Sequence, residues 1–392
     1  MELIRNSSVY DLTVVPELRG ILERNEACNN NVLNVLESNT NGQNYRVIRY
    51  NKSILSLETI PTYGLCRSLV INSNNKLIGF APPKSTCAET FMKTYVNKTH
   101  AEEFVEGTMI NVFWNESWEI STRSKVGGET RFFKATEGKT FRVLFQEACV
   151  KCHLDITTLN KELCYSFVLQ HPENRIVVPF TSAELYLVAV YRIDTSNLII
   201  QSFDMTCVSN FLSYLGLENT AIKFPNVYKY DTYEELIDKY ASINTPYDVV
   251  GVVLYNHLTG ERAKVRNPVY EQVKQLRGNQ PKIQYQYLSL RKDGKLNEFL
   301  KYFPEYKKEF LQFRAEVHLF TTTLYTNYVS CYIKKEKPLA EFLSQHRTHM
   351  FHLHQLYLIK RERVTNSVAI QYVNNLHPSL LMFSLNYHLR TH

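Results

Sequence analysis

The chain has 392 residues, of which 44% are hydrophobic and 21% charged, as in ordinary globular proteins. This length exceeds what one hydrophobic core usually serves, so two or three domains are expected. No apolar run approaches the roughly 20 residues of a membrane-spanning helix, and residues 1–12 lack the basic start and apolar middle of a signal peptide. The sequence therefore predicts no membrane partner, a cytoplasmic location and eight reduced cysteines.

The first 45 residues are predicted to form a helix followed by a loose segment. Val15–Leu36 has a rough helical period, and NTNGQN at 39–44 is rich in turn-forming residues. We therefore expect an N-terminal segment over residues 1–45 that is distinct from the body of the protein.

Short apolar stretches separated by turns dominate residues 46–265, a pattern typical of β-strands. The predicted strands are YRVIRY (45–50), CRSLVI (66–71), KLIGFA (76–81), GTMINVFW (107–114), SWEIST (117–122), CYSFVL (164–169), RIVVPF (175–180), ELYLVAVYRI (184–193), NLIIQSF (197–203) and DVVGVVLY (248–255). Helices fit at Thr140–Lys151, Val208–Leu215 and Tyr233–Tyr240. This order predicts an α+β body of mainly antiparallel sheets over residues 46–275.

The pattern changes to long helices from about Leu296. Pro304 lies where a helix can begin, and apolar side chains recur at three- and four-residue steps from Tyr306 to Cys331. Further helices fit at 339–361, at 365–376 and after Pro378. We therefore expect an all-helical C-terminal domain over residues 296–392.

The charge of the chain is uneven. Residues 1–260 hold 24 basic and 28 acidic side chains, whereas residues 261–392 hold 21 basic and 10 acidic ones. A basic C-terminal third favours a polyanion as partner, with RNA or DNA first and an acidic protein surface second. The alternative is a set of solvated lysines and arginines on helix faces.

Two short motifs are interpreted as structural. CVKCH at 149–153 matches a haem-attachment pattern, but that chemistry requires export, and no second cysteine pair lies at zinc-finger spacing. HRTHMFHLH at 346–354 places three histidines at steps of three without the carboxylate of a zinc-protease helix. The sequence therefore predicts no metal site.

Five separated stretches carry a family resemblance together. They are LCRSLVI (65–71), EEFVEGTMINVFW (102–114), FVLQHPENRIVV (167–178), DVVGVVL (248–254) and RAKVRNPVYEQ (262–272). In this order they resemble the covalent nucleotidyltransferase superfamily, most closely the single-strand RNA ligases of phage and giant-virus type. The resemblance covers about residues 45–275 and implies an RNA-ligase-like nucleotidyltransferase body.

Part of the family's nucleotide site is present. Glu106 and Gly107, with the threonine after them, match the turn that follows the family's nucleophilic lysine. Arg67 matches an early arginine, and Lys264 and Arg266 match two basic residues that steady phosphates during transfer. The resemblance thus implies a vestigial nucleotide and phosphate site at these five residues.

The residues of the transfer chemistry are replaced. Phe104 occupies the position of the lysine that attacks ATP, Val168 that of a ribose-binding glutamate, and Val250 that of a metal-associated glutamate. Because all three replacements are apolar, we expect them to lie buried together in a cleft packed shut, with no catalytic residue and no cofactor. ATP and magnesium are expected only in the alternative, an active RNA ligase with an atypical site.

The favoured interpretation is a catalytically inactive RNA-ligase-like protein of a large DNA virus. It would bind RNA or another polyanion, or serve as a structural component that contacts other viral proteins in the virus particle. For RNA binding, Lys264 and Arg266 are expected to form one stripe with four further candidates: Arg262, Lys274, Arg277 and Lys282.

Overall fold

The computed structural model describes residues 8–24, 31–95, 99–132, 138–256 and 258–390. The chain divides into two compact units, Met1–Gln275 and Leu276–His392. The first combines antiparallel sheets with short helices, and the second is helical. The predicted α+β fold class with a helical C-terminal region is confirmed.

Antiparallel strands in the described residues form three sheets. The strands are β1 (Val9–Asp11), β2 (Leu33–Thr40), β3 (Gln43–Tyr50), β4 (Leu69–Asn72), β5 (Leu77–Gly79), β6 (Thr99–Glu103), β7 (Thr108–Asn115), β8 (Ser117–Ser121), β9 (Leu163–Gln170), β10 (Glu184–Asp194), β11 (Ile199–Ser202), β12 (Val227–Tyr228), β13 (Gly251–Asn256) and β14 (Arg262–Arg266). The sheet orders are β1-β11-β10-β9-β7-β8, β2-β3-β4-β5 and β12-β6-β13-β14.

The helices of the first unit are short. They are α1 (Leu18–Arg24), α2 (Ile60–Tyr63), α3 (Ala88–Thr94), α4 (Phe141–Lys151), α5 (Leu212–Leu215), α6 (Tyr233–Tyr240) and α7 (Pro268–Arg277), whose last two residues belong to the second unit. Those of the second unit are α8 (Ile283–Lys292), α9 (Leu296–Tyr302), α10 (Lys307–Tyr328), α11 (Ser344–Lys360), α12 (Asn366–Asn375) and α13 (Pro378–Leu385). None of the helices in the described ranges is long and apolar enough to cross a membrane.

The six-stranded sheet is buried on both faces. Along β9, Cys164 joins the core shared with β3, β4 and β5, whereas Tyr165 and Phe167 point the other way into the core under α4. This alternation follows from the two-residue period of a strand. Burial on both faces explains why LCYSFVLQ is almost entirely apolar.

The third sheet supports the candidate site. The apolar residues Ala101, Val252 and Ala263 of its strands pack with Phe91 of α3 and Leu236 of α6. This packing fixes β13 and β14, and the antiparallel register sets Gly251 opposite Arg266 and Val253 opposite Lys264.

The prediction for the N-terminal 45 residues is wrong in two respects. Among the described residues the helix covers Leu18–Arg24, and the strand β2 begins inside the predicted helix and runs into the predicted loose region. This strand pairs with β3 along its whole length. Moreover, β1 adds to the six-stranded sheet by pairing with β11. This segment is therefore part of the α+β body.

The predicted strand RIVVPF at 175–180 is also wrong. These residues form an irregular loop, and the backbone N–H groups of Val177 and Val178 donate to the Glu106 carboxylate instead of a neighbouring strand. A side chain distant in sequence thus replaces the strand ladder that β-propensity predicts.

The helical unit has its longest helix where the apolar spacing placed one. In α10, Phe310, Val317, Phe320 and Leu324 are buried, which matches the three- and four-residue steps of the sequence. The unit begins earlier than residue 296, because α8 already lies in it.

Candidate phosphate-binding site

Two strands bring Phe104 and the two predicted phosphate-facing cations together. The backbone N–H of Phe104 donates to the carbonyl of Gly251 at 3.2 Å, and Gly251 pairs with Arg266. Lys264 Nζ lies 4.1 Å from the centroid of the Phe104 ring, and Arg266 Cζ lies 5.8 Å from it. When it is protonated, an amine this close to an aromatic face is attracted by the ring quadrupole.

Lys264 is surrounded by other cations. Burial, followed by the charges of Arg262, Arg67, Arg266 and Lys84, lowers the pKa of its amine to about 6. Burial and then Arg262 lower the pKa of Arg67 to about 10. The pKa of Lys84 is lowered by burial and then by Arg266 and Arg67. We call Arg67, Lys84, Lys264 and Arg266 the cation cluster.

Three members of the cation cluster have no carboxylate partner among the described residues. Within the ranges that the structure describes, no carboxylate oxygen lies within 4 Å of the side-chain nitrogens of Arg67, Lys84 or Lys264. Arg266 is paired with Glu271 at 3.3 Å and is half-exposed. Partly buried like charges without counterions repel each other. An incoming polyanion would relieve that repulsion.

Glu106 and Gly107 have structural roles. The buried Glu106 carboxylate accepts the N–H groups of Val177 at 3.0 Å and Val178 at 3.1 Å, and burial raises its pKa. Gly107 has φ +151°, and a Cβ there would lie 2.5 Å from the carbonyl oxygen of Leu169. The turn therefore requires glycine and anchors the loop after His171–Asn174 to the body.

The three apolar replacements are in the same region, but they do not close it. Val168 and Val250 are each 6% exposed, and Phe104 is partly buried. Phe104 and Val250 line a cavity of about 320 Å³. Val168 packs against Gly107 and is not in the lining of this cavity. The expectation of a cleft packed shut is wrong, because this cavity lies beside Phe104 and Val250.

Two of the predicted RNA-binding residues are buried. Arg262 is 6% exposed and its guanidinium donates to the carbonyls of Pro82 and Pro83. Arg277, also 6% exposed, donates to the Tyr306 hydroxyl. These two residues therefore cannot belong to an exposed basic stripe.

The other two candidates are accessible to different degrees. Lys274 is half-exposed and pairs with Glu271 at 3.3 Å, and Lys282 is exposed. Lys282 lies in the helical unit and Lys274 in the first unit. Of the predicted stripe, Lys264 and Arg266 of the cation cluster thus remain, with Lys274 as a paired neighbour in the same unit.

One group of potential metal ligands surrounds the PENRIVV element. Ligand atoms of Glu147, His171 and Glu173 lie within 4.8 Å of one another. However, Lys139 Nζ already lies 2.9 Å from Glu147 and 2.7 Å from Glu173. His171 Nδ1 accepts the backbone N–H of Glu173, so its Nε2 carries the proton and donates to Glu147 at 3.0 Å. The group is an ion-pair cluster that fastens this loop to α4.

The histidine stretch is packed into the helical unit. His349 contacts the hydroxyls of Tyr372 at 2.8 Å and Ser384 at 2.7 Å, so both ring nitrogens are engaged. Burial lowers the pKa of His346 and, together with neighbouring histidines, that of His349 to about 4. In CVKCH, Cys149 and Cys152 are buried beside the end of α4, and burial raises the pKa of Cys149 to about 12.

The arrangement does not fit covalent transfer of AMP at the family's positions. The ring of Phe104 provides no nucleophilic lone pair, and Val250 provides no oxygen for a divalent metal. The carboxylate of Glu106, two residues after Phe104, is occupied by backbone donors. What the site can do chemically is hold phosphate groups.

Sequence analysis missed Lys84. It follows two prolines in a stretch without strand or helix signal, and it belongs to no motif of the resemblance. Only the fold shows that the carbonyls of Pro82 and Pro83 hold Arg262 beside it. The two adjacent prolines were the available signal, because they fix an extended backbone that can present a neighbouring side chain.

Comparison with known proteins gives distant relatives. No protein-family model matches this chain. The chain is 24% identical over 321 residues to a protein named immediate-early protein ICP-46 homolog of Invertebrate iridescent virus 6, covering 76% of this chain and 66% of that protein. It is 25% identical over 192 residues to a protein named RNA ligase of Rhodothermus phage RM378, covering 43% of this chain and 44% of the phage protein.

The chain thus spans less than two thirds of either relative. A solved RNA ligase of Naegleria gruberi is similar with a TM-score of 0.36 and 11% identity, over 49% of this chain and 57% of that one. That likeness is too low to support a conclusion.

Proposed function

Because this chain is an RNA-ligase-like relative of the covalent nucleotidyltransferases, we propose that it binds the 5′-phosphate end of RNA and forms no covalent nucleotide adduct at residue 104. The viral sources of both sequence relatives support placing it in a large DNA virus. The observation that carries the proposal is the cation cluster beside Phe104, three members of which have no carboxylate partner in the part of the chain that the structure describes.

The electrostatics favour a multiply charged end over a single phosphate. In the free protein, repulsion and burial keep the Lys264 amine largely neutral above pH 6. A bound triphosphate would restore its proton, since an anion nearby favours the charged form. Binding should therefore be accompanied by the uptake of about one proton at pH 8, and the uptake should be absent in Lys264→Met.

One observation favours a second candidate function, an active ligase with an atypical site. Lys264 is an amine with a lowered pKa beside residue 104, and nucleophilic lysines require a lowered pKa. Against it, Val250, which lines the cavity beside Phe104, offers no metal ligand, and Lys264 is not in the lining of that cavity. A nucleotide adduct that maps to Lys264 would establish this candidate in place of the first.

A binding assay separates the proposal from a structural role in the virus particle. Fluorescence anisotropy compares a single-stranded RNA with a 5′-triphosphate and the same RNA with a 5′-hydroxyl. Lys264→Met should abolish the preference for the triphosphate, whereas Lys125→Met, at an exposed lysine of the same unit, should preserve it. With four cations neutralising phosphates, log K should fall by about 3 per decade of salt, at about 0.7 for each contact with a single strand.

Two results would contradict the proposal. Equal affinity for the 5′-triphosphate and the 5′-hydroxyl RNA would mean that the cation cluster does not bind the terminal phosphates. No measurable binding near physiological salt would favour the structural role, in which the same charges meet acidic surfaces of other viral proteins.

A further inference from the structure

The cavity beside Phe104 has aromatic walls. Its volume is about 320 Å³, and Phe104, Phe180, Tyr186 and Tyr228 contribute to its lining. Tyr240 stacks on Tyr228 with a centroid separation of 3.9 Å and an interplanar angle of 14°. Ligand pockets begin at about 300 Å³, and aromatic side chains in the lining suit a flat ligand.

The charge in this cavity is negative. The carboxylates of Glu103, Glu106, Glu184 and Asp248 line it, and none of the described residues in the lining is a lysine or an arginine. Glu184 pairs with Lys223 at 2.7 Å, and Glu106 is held by backbone donors. Glu103 and Asp248 therefore supply the negative charge that no lysine or arginine in the described ranges neutralises.

The Glu103 carboxylate acts on the tyrosine rings of the wall. Two donors of Asn226, the backbone N–H at 3.3 Å and Nδ2 at 2.7 Å, fix its position. Burial and then Glu103 raise the pKa of Tyr228 to about 12 and also raise that of Tyr186. A flat cation in this cavity would be attracted both by the aromatic faces and by the carboxylates. A neutral ring would gain only the stacking contribution.

Phe104 joins the cavity to the cation cluster. It lines the cavity, and its ring contacts Lys264 at 4.1 Å. A ligand that fills both places must be a flat cation at one end and a polyanion at the other. Adenine and guanine are neutral at pH 7 and fail the first condition. Guanine methylated at N7 carries a fixed positive charge, and its N1–H and exocyclic amine can donate to carboxylates.

We propose that this cavity binds the N7-methylated guanine of a capped RNA 5′ end, with its triphosphate on the cation cluster. The proposal rests on the proposed function, because it identifies the group at the far end of the phosphates. Glu103 and Asp248 select the charged base, and Lys264 with Arg67 holds the phosphates.

The test is a titration of the full chain with four probes: 7-methyl-GTP, GTP, ATP and inorganic tripolyphosphate. Isothermal calorimetry gives each Kd. We expect 7-methyl-GTP to bind at least about tenfold more tightly than GTP, the size of one cation–π contact with a neighbouring carboxylate. The double variant Glu103→Gln with Asp248→Asn should remove this preference and leave the affinity for tripolyphosphate unchanged or higher. Glu218→Gln, at an exposed position outside the cavity, is the matched control.

The outcomes distinguish the assignment of the base from the phosphate site. If all nucleotides bind equally well while tripolyphosphate binds, the assignment of the base is overturned and the phosphate site stands. If tripolyphosphate does not bind either, the proposed function fails as well. A preference for 7-methyl-GTP that survives the double variant would also overturn the assignment.

Discussion

Replacing Lys264 by methionine should stabilise the protein while it removes phosphate binding. The folded state lowers the pKa of this amine from 10.5 to about 6. Between these values the unfolded chain holds a proton that the folded chain has lost, so the stability of the wild type rises with pH across this window. At pH 7 the full shift corresponds to a penalty of roughly 5 kcal/mol. Residual exposure and screening reduce it to about 2–3 kcal/mol.

Methionine keeps most of the length of the side chain and carries no charge. The melting temperature of Lys264→Met at pH 7 should be higher than that of the wild type by roughly 4–12 °C, at about 2–4 °C per kcal/mol for a unit of this size. The difference should shrink as the pH approaches 10, because the wild type recovers there. Lys125→Met should change the melting temperature little. A Lys264→Met protein that is less stable than the wild type, with no pH dependence of the difference, would refute the reasoning.

Further predictions concern single positions. Phe104→Lys should yield no nucleotide adduct by intact mass spectrometry, because the other two replaced positions still lack carboxylates; a mass increase of one nucleotide would contradict this. In urea titrations, the wild type should lose stability as pH rises through the raised pKa of the buried Glu106 carboxyl, whereas Glu106→Gln should not show this loss. The helical unit should lose stability as pH falls from 6.5 towards 4, because the His349 imidazole binds a proton in the unfolded chain but stays neutral when it is buried. This loss of stability should be smaller in His349→Gln. Gly251→Ala should destabilise by about 2–4 kcal/mol, since its Cβ would lie 2.1 Å from the Val265 carbonyl, whereas Gly42→Ala, with open space around it, should cost about 1 kcal/mol.

The sequence predicted the elements that show their own periodicity. The strand β10 was located as an apolar stretch between turns. The helix α10 was located from apolar side chains at three- and four-residue steps, because these side chains share the buried face of the helix. RIVVPF was predicted as a strand from its composition, but its N–H partners belong to the distant Glu106. A carboxylate that replaces a strand ladder leaves no local signal.

The candidate site was predicted only in part for the same reason. Lys264 and Arg266 were found from their motif, and the structure places both on Phe104. Arg262 has the same two-residue phase on β14, but the carbonyls of Pro82 and Pro83 bury it. Lys84 was indicated only by the two prolines before it, and the acidic cavity could not be predicted, because its lining comes from segments far apart in the sequence.

The central claim is that the cation cluster holds a 5′-polyphosphate without covalent chemistry at residue 104. The most direct test is equilibrium binding of 5′-triphosphate and 5′-hydroxyl RNA of one sequence to the wild type and to Lys264→Met. The account predicts a preference for the triphosphate of at least about tenfold in the wild type, no preference in the variant, and unmodified protein mass throughout. Equal binding of the two RNAs by the wild type would contradict it.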